Sequence, residues 1–333
     1  MKRILVLGAA GQIGSELVPH LRSIYGEENV IAADIQWLNH PLQFTSGPLV
    51  HLDALDANRY SRIVKKYQVD TIFNMVALLS ATSERNPPLA WKVNMGALMN
   101  SLEIARIFNC SVFTPSSIGA FGPTTPPDAT PQDTIMRPAS IYGICKLTGE
   151  LLSDYYYNKY GVDSRSVRFP GIVSSEVLPG GGTTDYAVEI YYAAAMGMVF
   201  KCPLPEGKFL DMMYMPDALT ACVQLMEADP SKLLHRNAFN VTAMSFDPVQ
   251  VYGAIRKRMP NFVMQYEIDP VKSRIADGWP NHMDDSAARQ EWGWDPKWDL
   301  DAMTDDMLSK LTHRMEKGLL KPHLMGKGGT LES

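Results

Sequence analysis

The stretch "VLGAAGQIGSEL", residues 6–17, sets Gly8, Gly11 and Gly14 between an apolar strand-like run and an amphipathic helix-like run. Glycines in this order meet three needs at once: a tight turn, close approach of backbone to a pyrophosphate, and tight packing of helix on strand. The pyrophosphate then rests on the free N–H groups at the positive end of the helix. Further along, "VIAAD" (30–34), "TIFNMVA" (71–77), "SVFTPSS" (111–117) and "SRSVRF" (164–169) read as strands, like "RILVLG" (3–8). Helical periodicity falls between them at 11–25, 58–67, 89–108 and 141–160.

This alternation predicts an α/β fold, a doubly wound parallel sheet of the Rossmann type with helices on both faces. After Phe169 the rhythm breaks into segments richer in Pro, Gly and Met, as in a smaller substrate-binding lobe. The expected division is 1–172 for the dinucleotide domain, with return segments near 210–258. Residues 173–209 and 259–320 form the lobe, and 321–333 a loose tail. No internal repeat or coiled coil is visible.

Composition narrows the function. The chain has 333 residues, 46% hydrophobic and 20% charged, with net charge -5, which argues against nucleic acid or an anionic membrane as principal partner. Its longest uncharged apolar run, 190–200, falls short of the ~20 residues a membrane span needs. Strand-like sequence begins at Arg3, so no targeting segment is expected and the protein reads as cytoplasmic. Cys110, Cys145, Cys202 and Cys222 are dispersed, as reduced thiols are. No paired histidines suggest a metal site, and the sequon at Asn240 reads as chance.

Asp34 ends the second strand, 20 residues past Gly14, where a carboxylate accepts bonds from both ribose hydroxyls. No Arg follows in "DIQWLNH", which favours NAD over NADP; the competing reading is a turn residue. Asp53 either meets the adenine amino group or is an exposed turn carboxylate. Ile35 and Leu52, beside these two, complete the expected adenosine end.

In "SIYGICKLTGE", Tyr142 and Lys146 lie four apart and share a helix face. A phenol ionises near ~10, so service as a base at neutral pH requires roughly 4 kcal/mol of help. An ammonium at ~4 Å supplies that in a partly buried site but only ~1 kcal/mol in bulk water. Tyr155 and Lys159 have the same spacing and read as a solvated face. Ser117, at the end of the "SVFTPSS" strand, singles out the first pair: it lies where α/β sheets place their ligands, able to hold a substrate hydroxyl while Tyr142 takes the proton.

A second glycine turn, "PGGGTTD" (179–185), leads into another helix. Backbone N–H groups there can hold a carboxylate, with the Thr183 and Thr184 hydroxyls as further donors. Asp185 either caps that helix or answers an ammonium. No Arg or Lys occurs between Phe169 and Phe200, so a diphosphate would need cations from elsewhere.

Taken together, "GAAGQIG", the acidic end of strand two, "SSIGAFG", "YGICK" and "RFPGI" resemble the extended short-chain dehydrogenase/reductase family over essentially the whole chain. The resemblance implies Ser117, Tyr142 and Lys146 as the catalytic set, with Lys146 also on the nicotinamide ribose. It also implies NAD contacts from Gln12, Ile13, Ala77, Leu78, Pro170 and Ile172. Members commonly form homodimers through a four-helix bundle, here from 89–108 and 141–160. "PGGGTTDYAVEI", "LDMMYMPDAL" and "ADGWPNHMDDSAARQEWGW" further resemble one branch, the short-chain L-threonine 3-dehydrogenases. That likeness implies oxidation of the L-threonine β-hydroxyl to L-2-amino-3-ketobutyrate, with substrate contacts from Ser80, Thr183, Thr184 and Trp279. Taken alone, Trp279 is either lobe core or a lid, and the loop departs from the branch's pattern at Gly278 and His282. The rival readings are an NAD-retaining nucleotide-sugar 4-epimerase of the same fold and a dinucleotide-sensing protein without chemistry.

Overall fold

The computed structural model describes residues 1–36, 46–177 and 182–320. The first five strands are β1 (Ile4–Leu7), β2 (Val30–Asp34), β3 (Leu49–His51), β4 (Thr71–Asn74) and β5 (Ser111–Phe113). They are followed by β6 (Ser116–Ser117), β7 (Ser164–Arg165), β8 (Val167–Phe169) and β9 (Gly171–Val173). A six-stranded sheet runs β3-β2-β1-β4-β5-β7, every pairing parallel. Beyond the breaks at 114–115 and 166, β6 and β8 carry the pairing of β5 and β7 onward, also in parallel.

The buried run of β1 shows why the sheet is covered on both sides. Ile4 and Val6 enter one core with Leu17, Val18 and Leu21, whereas Leu5 and Leu7 enter another with Tyr60, Ile63 and Leu98. Strand alternation sends successive apolar residues to opposite faces, and both faces must be covered. The covering helices are α1 (Gly14–Tyr25) on the first face, with α2 (Ala57–Tyr67), α4 (Pro87–Phe108) and α5 (Ile141–Tyr160) on the second. The short α3 (Ser80–Arg85) packs against α4 and α5. Each side chain buried this way contributes roughly 1.5–3 kcal/mol.

Most helix starts have a chemical reason. Asp56, Asn86 and Ser140 accept the N–H of Arg59, Leu89 and Gly143 and so cap α2, α4 and α5. The start of α1 has no such side-chain cap, which leaves its N–H groups facing the glycine turn.

The later elements are α6 (Tyr186–Ala195), β10 (Phe200–Cys202), β11 (Leu210–Tyr214), α7 (Met215–Glu227), β12 (Phe239–Asn240) and β13 (Met244–Phe246). After them come α8 (Pro248–Arg258), β14 (Met264–Tyr266), α9 (Pro270–Asp277), α10 (Ser286–Trp292) and α11 (Leu300–Glu316). A third core gathers side chains of α6, α8, α11, β10 and β11 with Trp279 and Met283. By contrast, α7 shares the core of α1, and β12 pairs with β8. No described helix is long and apolar enough to cross a membrane. All four cysteines are buried free thiols.

The structure corrects several sequence expectations, and the strand expected at 164–169 is split at Ser166. The strand expected at 71–77 stops at Asn74, and 75–79 run on as a loop. The strand expected at 111–117 is interrupted at Pro115, which has no N–H to give a ladder. The first helix begins at Gly14 rather than 11. The expected tail 321–333, and 178–181 of the second glycine turn, lie outside the described residues.

Candidate active site

The first glycine turn is shaped by steric necessity. Gly8 has φ +68°, and a Cβ there would lie 3.0 Å from the Met75 carbonyl carbon. A Cβ on Gly14 would lie 2.2 Å from the Gly8 carbonyl oxygen, so α1 meets β1 at a distance only glycine allows. The Gly11 N–H donates to that same oxygen at 3.0 Å.

Asp34 closes the turn from β2. Its Oδ2 accepts the Ala10 N–H at 2.9 Å and its Oδ1 the Gln36 N–H at 3.0 Å. A carboxylate has about four lone-pair sites, so this bracing leaves capacity for ribose hydroxyls. Asp53 accepts the Leu55 N–H at 2.9 Å in an exposed turn, yet it also faces the same cavity. That cavity, of about 360 Å³, brings together Gly8, Gly11, Asp34, Ile35, Leu52, Asp53, Ala77 and Leu78. Gly14 stays beneath it. The uncapped helix start, the glycine-only contacts and the braced carboxylate suit a dinucleotide. Ala10, Gln36, Leu55 and Val93 also line the cavity, but no sequence signal marks them.

A second cavity, of about 130 Å³, gathers the expected reacting end. Gln12, Ile13, Ala77, Ser80, Ser117, Tyr142, Lys146, Pro170, Ile172, Thr183, Thr184 and Trp279 all line it. Met75, Leu79, Pro115, Ser116, Ile118, Phe169, Gly171, Gly182 and Asp185 complete the described wall. Lys146 is the one cationic side chain and Asp185 the one acidic side chain among its described lining residues.

The arrangement of Ser117, Tyr142 and Lys146 rests on two glycines that the sequence reading passed over. A Cβ on Gly143 would lie 2.0 Å from the Gly119 carbonyl oxygen, and one on Gly119 3.2 Å from the Tyr142 ring. The missing side chains let α5 settle on the turn at 118–120, which sets the Tyr142 ring beside Ser117. The Ser117 Oγ accepts the Gly119 N–H at 3.1 Å, leaving its own proton to donate into the cavity. Lys146 Nζ donates to the Pro115 carbonyl at 2.6 Å and lies 5.4 Å from the centre of the Tyr142 ring. The proline that interrupts the strand thus supplies the oxygen that fixes the lysine.

The opposite wall is polar and anchored separately. Ser80 Oγ and the fully buried Thr183 Oγ1 lie 3.4 Å apart. Asp185 accepts the Gly182 N–H at 2.6 Å, which is the capping role. Asn94 of α4 receives the Leu78 N–H at 2.8 Å and donates to the Leu78 carbonyl at 3.2 Å, clamping the loop between the two cavities.

Behind Lys146, the Glu150 carboxylate accepts two-pronged bonds from Arg168, and the Ser116 hydroxyl donates to it. Glu150 and Arg168 are both about 4% exposed. One carboxylate therefore ties α5 to the strands carrying Ser117 and Phe169, and a buried pair of this kind is costly to break.

A family model described as the NAD dependent epimerase/dehydratase family matches residues 4–242. The chain is 52% identical over 311 residues to an uncharacterized epimerase/dehydratase of Staphylococcus saprophyticus, covering 93% of this chain and 97% of that one. Among solved structures, an L-threonine dehydrogenase from Clostridium difficile matches with TM-score 0.92 at 53% identity, over 94% of this chain and 98% of that one. The holo form of a GalE-like L-threonine dehydrogenase from Cupriavidus necator matches with TM-score 0.90 at 45% identity, over 93% and 99%.

Proposed function

The chain belongs to the NAD dependent epimerase/dehydratase family, of the extended short-chain dehydrogenase/reductases, and we propose that it oxidises the β-hydroxyl of L-threonine to give L-2-amino-3-ketobutyrate. Family and neighbours alike make it an NAD-dependent oxidoreductase or epimerase. The observation that carries the narrower reading is the second cavity: about 130 Å³, with Lys146 as its one cation and Asp185 as its one acid among the described lining residues. A nucleotide diphosphate finds no cationic partner there besides a lysine already bonded to Pro115. A small zwitterion with a hydroxyl finds donors for its carboxylate in Ser80, Thr183 and Thr184, and an anion for its ammonium in Asp185. The dehydrogenases from Clostridium difficile and Cupriavidus necator support the same substrate.

In this reading the Ser117 hydroxyl donates to the substrate oxygen and holds it against the Tyr142 phenol. Tyr142 takes the hydroxyl proton as the C–O bond becomes a carbonyl. Lys146, fixed by Pro115, stabilises the phenolate from inside a cavity where water is largely excluded, and also binds the nicotinamide ribose. Gly8, Gly11, Gly14 and Asp34 would hold NAD, which would supply the acceptor for the hydride leaving Cβ. Two copies of the chain pair through α4 and α5, whose outer faces expose Trp91, Ile107, Ile144 and Leu151. A single-chain mass in sedimentation equilibrium at assay concentration would remove that pairing.

The rival is the epimerase reading, which the family description favours. It keeps its NAD throughout the cycle and acts on a nucleotide sugar. Absorbance of NADH, followed with a panel of amino acids and UDP-sugars, separates the two. NADH formed one-for-one with L-threonine consumed is expected. Conversion of a UDP-sugar without net NADH, with threonine inert, would replace the dehydrogenase by the epimerase.

A further inference from the structure

Trp279 stands between two cavities. One side of the residue faces the cavity holding Ser117, Tyr142 and Lys146, of about 130 Å³. The other faces a chamber of about 350 Å³ walled by Phe121, Pro123, Ala139, Val271 and Ile275. Among the described residues, Trp279 is the one that lines both. It is 8% exposed and follows α9 directly, its N–H donating to the Ala276 carbonyl at 3.0 Å.

The chamber is open to solvent: Pro123, Ala139 and Val271 are exposed, whereas Phe121 and Trp279 are buried. Its charged residues, Glu84, Arg274 and Asp277, are exposed at its mouth. Glu84 accepts the Ile141 N–H at 2.8 Å, and Asp277 pairs with Lys208 at 3.1 Å. This chamber has room for an aryl or branched alkyl group.

Resting on the threonine reading, the substrate's own geometry shows what the indole faces. Its Cβ carries four substituents. The hydroxyl goes to Ser117 and Tyr142, the hydrogen to the nicotinamide, and Cα with its two charges to Ser80, Thr183, Thr184 and Asp185. The methyl takes the apolar wall that remains, to which Leu79 and Phe169 contribute together with Ile118 and Trp279. Ile118 and Trp279 share an apolar cluster with Phe121, a wall of the chamber. We propose that Trp279 sets the substrate range: the indole closes the site at the size of a methyl, and the chamber behind it accommodates the side chain of a bulkier β-hydroxy-α-amino acid once the indole is removed.

The test is NADH formation by wild type, Trp279→Ala and Trp279→Leu with L-threonine and with L-threo-3-phenylserine. The ratio of kcat/KM for phenylserine over threonine is expected to rise about a hundredfold in the alanine variant, with a smaller rise for leucine. Ile275→Trp, which refills the chamber from α9, should cancel the gain in the Trp279→Ala background while alone leaving threonine turnover within about twofold. A ratio unchanged within about threefold in both Trp279 variants overturns the proposal. Should the alanine variant lose turnover with both substrates, calorimetry of phenylserine binding to its NADH complex decides. Binding tighter than wild type by about tenfold supports the partition, and no tightening overturns it. Failure of wild type to form NADH from threonine refutes the threonine reading by itself, separately from either Trp279 result.

Discussion

Helix α5 carries a tyrosine followed four residues later by a lysine twice, and the two pairs have different surroundings. Near the start, Tyr142 is 9% exposed and its lysine is held by the Pro115 carbonyl at 2.6 Å. Near the end, Tyr155 is 47% exposed, and Lys159 Nζ donates directly to its hydroxyl at 2.5 Å. That hydrogen bond holds the Tyr155 phenol below its ordinary range. Closer contact therefore belongs to the pair on the exposed face. Thirteen residues turn a helix by roughly 220° beyond whole turns, so the second pair looks away from the cavity that the first one lines. Spacing places a lysine beside a tyrosine; Ser117 and Pro115 set one such pair on the wall of a cavity.

Removing the two phenols gives the sharpest test. Tyr142→Phe should lower threonine turnover at least about a hundredfold while NAD binding, followed by fluorescence, persists. Tyr155→Phe should leave turnover within about twofold, since an exposed pair contributes little. Comparable losses from both would erase the distinction.

The glycines of the same helix offer a second, smaller contrast. Gly143→Ala drives a Cβ to 2.0 Å from backbone oxygen, which cannot yield without moving α5. Urea unfolding should show a loss of about 1–3 kcal/mol, with turnover falling as the 118–120 turn shifts. Gly149→Ala meets only the end of Leu98, at 3.1 Å, and regains helix propensity, so its net change should stay within about 1 kcal/mol. A larger loss at 149 than at 143 would mean that the approach of α5 to Gly119 is not what fixes the site.

The least effect probes dry against wet surroundings on a carboxylate. Burial pushes Glu16, in the first turn of α1, up to about 7, although the Ser174 hydroxyl donates to it. Half-buried Glu103, bonded by Arg106, is instead lowered. A folded pKa above the unfolded one means a contribution that is full below the unfolded value of 4.5 and lost as pH rises through about 7. Wild-type Tm should therefore drop between pH 5 and 8, and Glu16→Gln should drop less. Glu189, also pushed to about 7 by burial, keeps part of the slope in the variant. Parallel Tm profiles for the two proteins would show that Glu16 ionises as it does in water.

Legibility followed the reach of the interactions. β2 and α5 have the limits that their residues predict, because each is bounded locally: Asp34 ends one, while Ser140 and Gly161, at φ +70°, bound the other. β3 was not read from sequence, being three residues at a half-exposed edge, nor was α3, whose "SATSER" has no apolar stripe. Residues 75–77 are as apolar as a strand, but they line the cavities instead of extending β4. At the site, the hydroxyl, phenol and ammonium stand out by type and order. Asn94, Gly119, Gly143 and Glu150 do not, since each matters through a contact with a segment distant in the chain.

The sequence by itself determined the alternating sheet, the glycine turn that opens α1, and the hydroxyl, phenol and ammonium that line the second cavity. Those are properties of residue type and short spacing, carried by interactions within a few residues. Only the tertiary structure decided which tyrosine–lysine pair is enclosed, why Gly143 must lack a side chain, and that one indole divides two chambers. Burial and close approach are sums over walls from many segments, and no local pattern contains them.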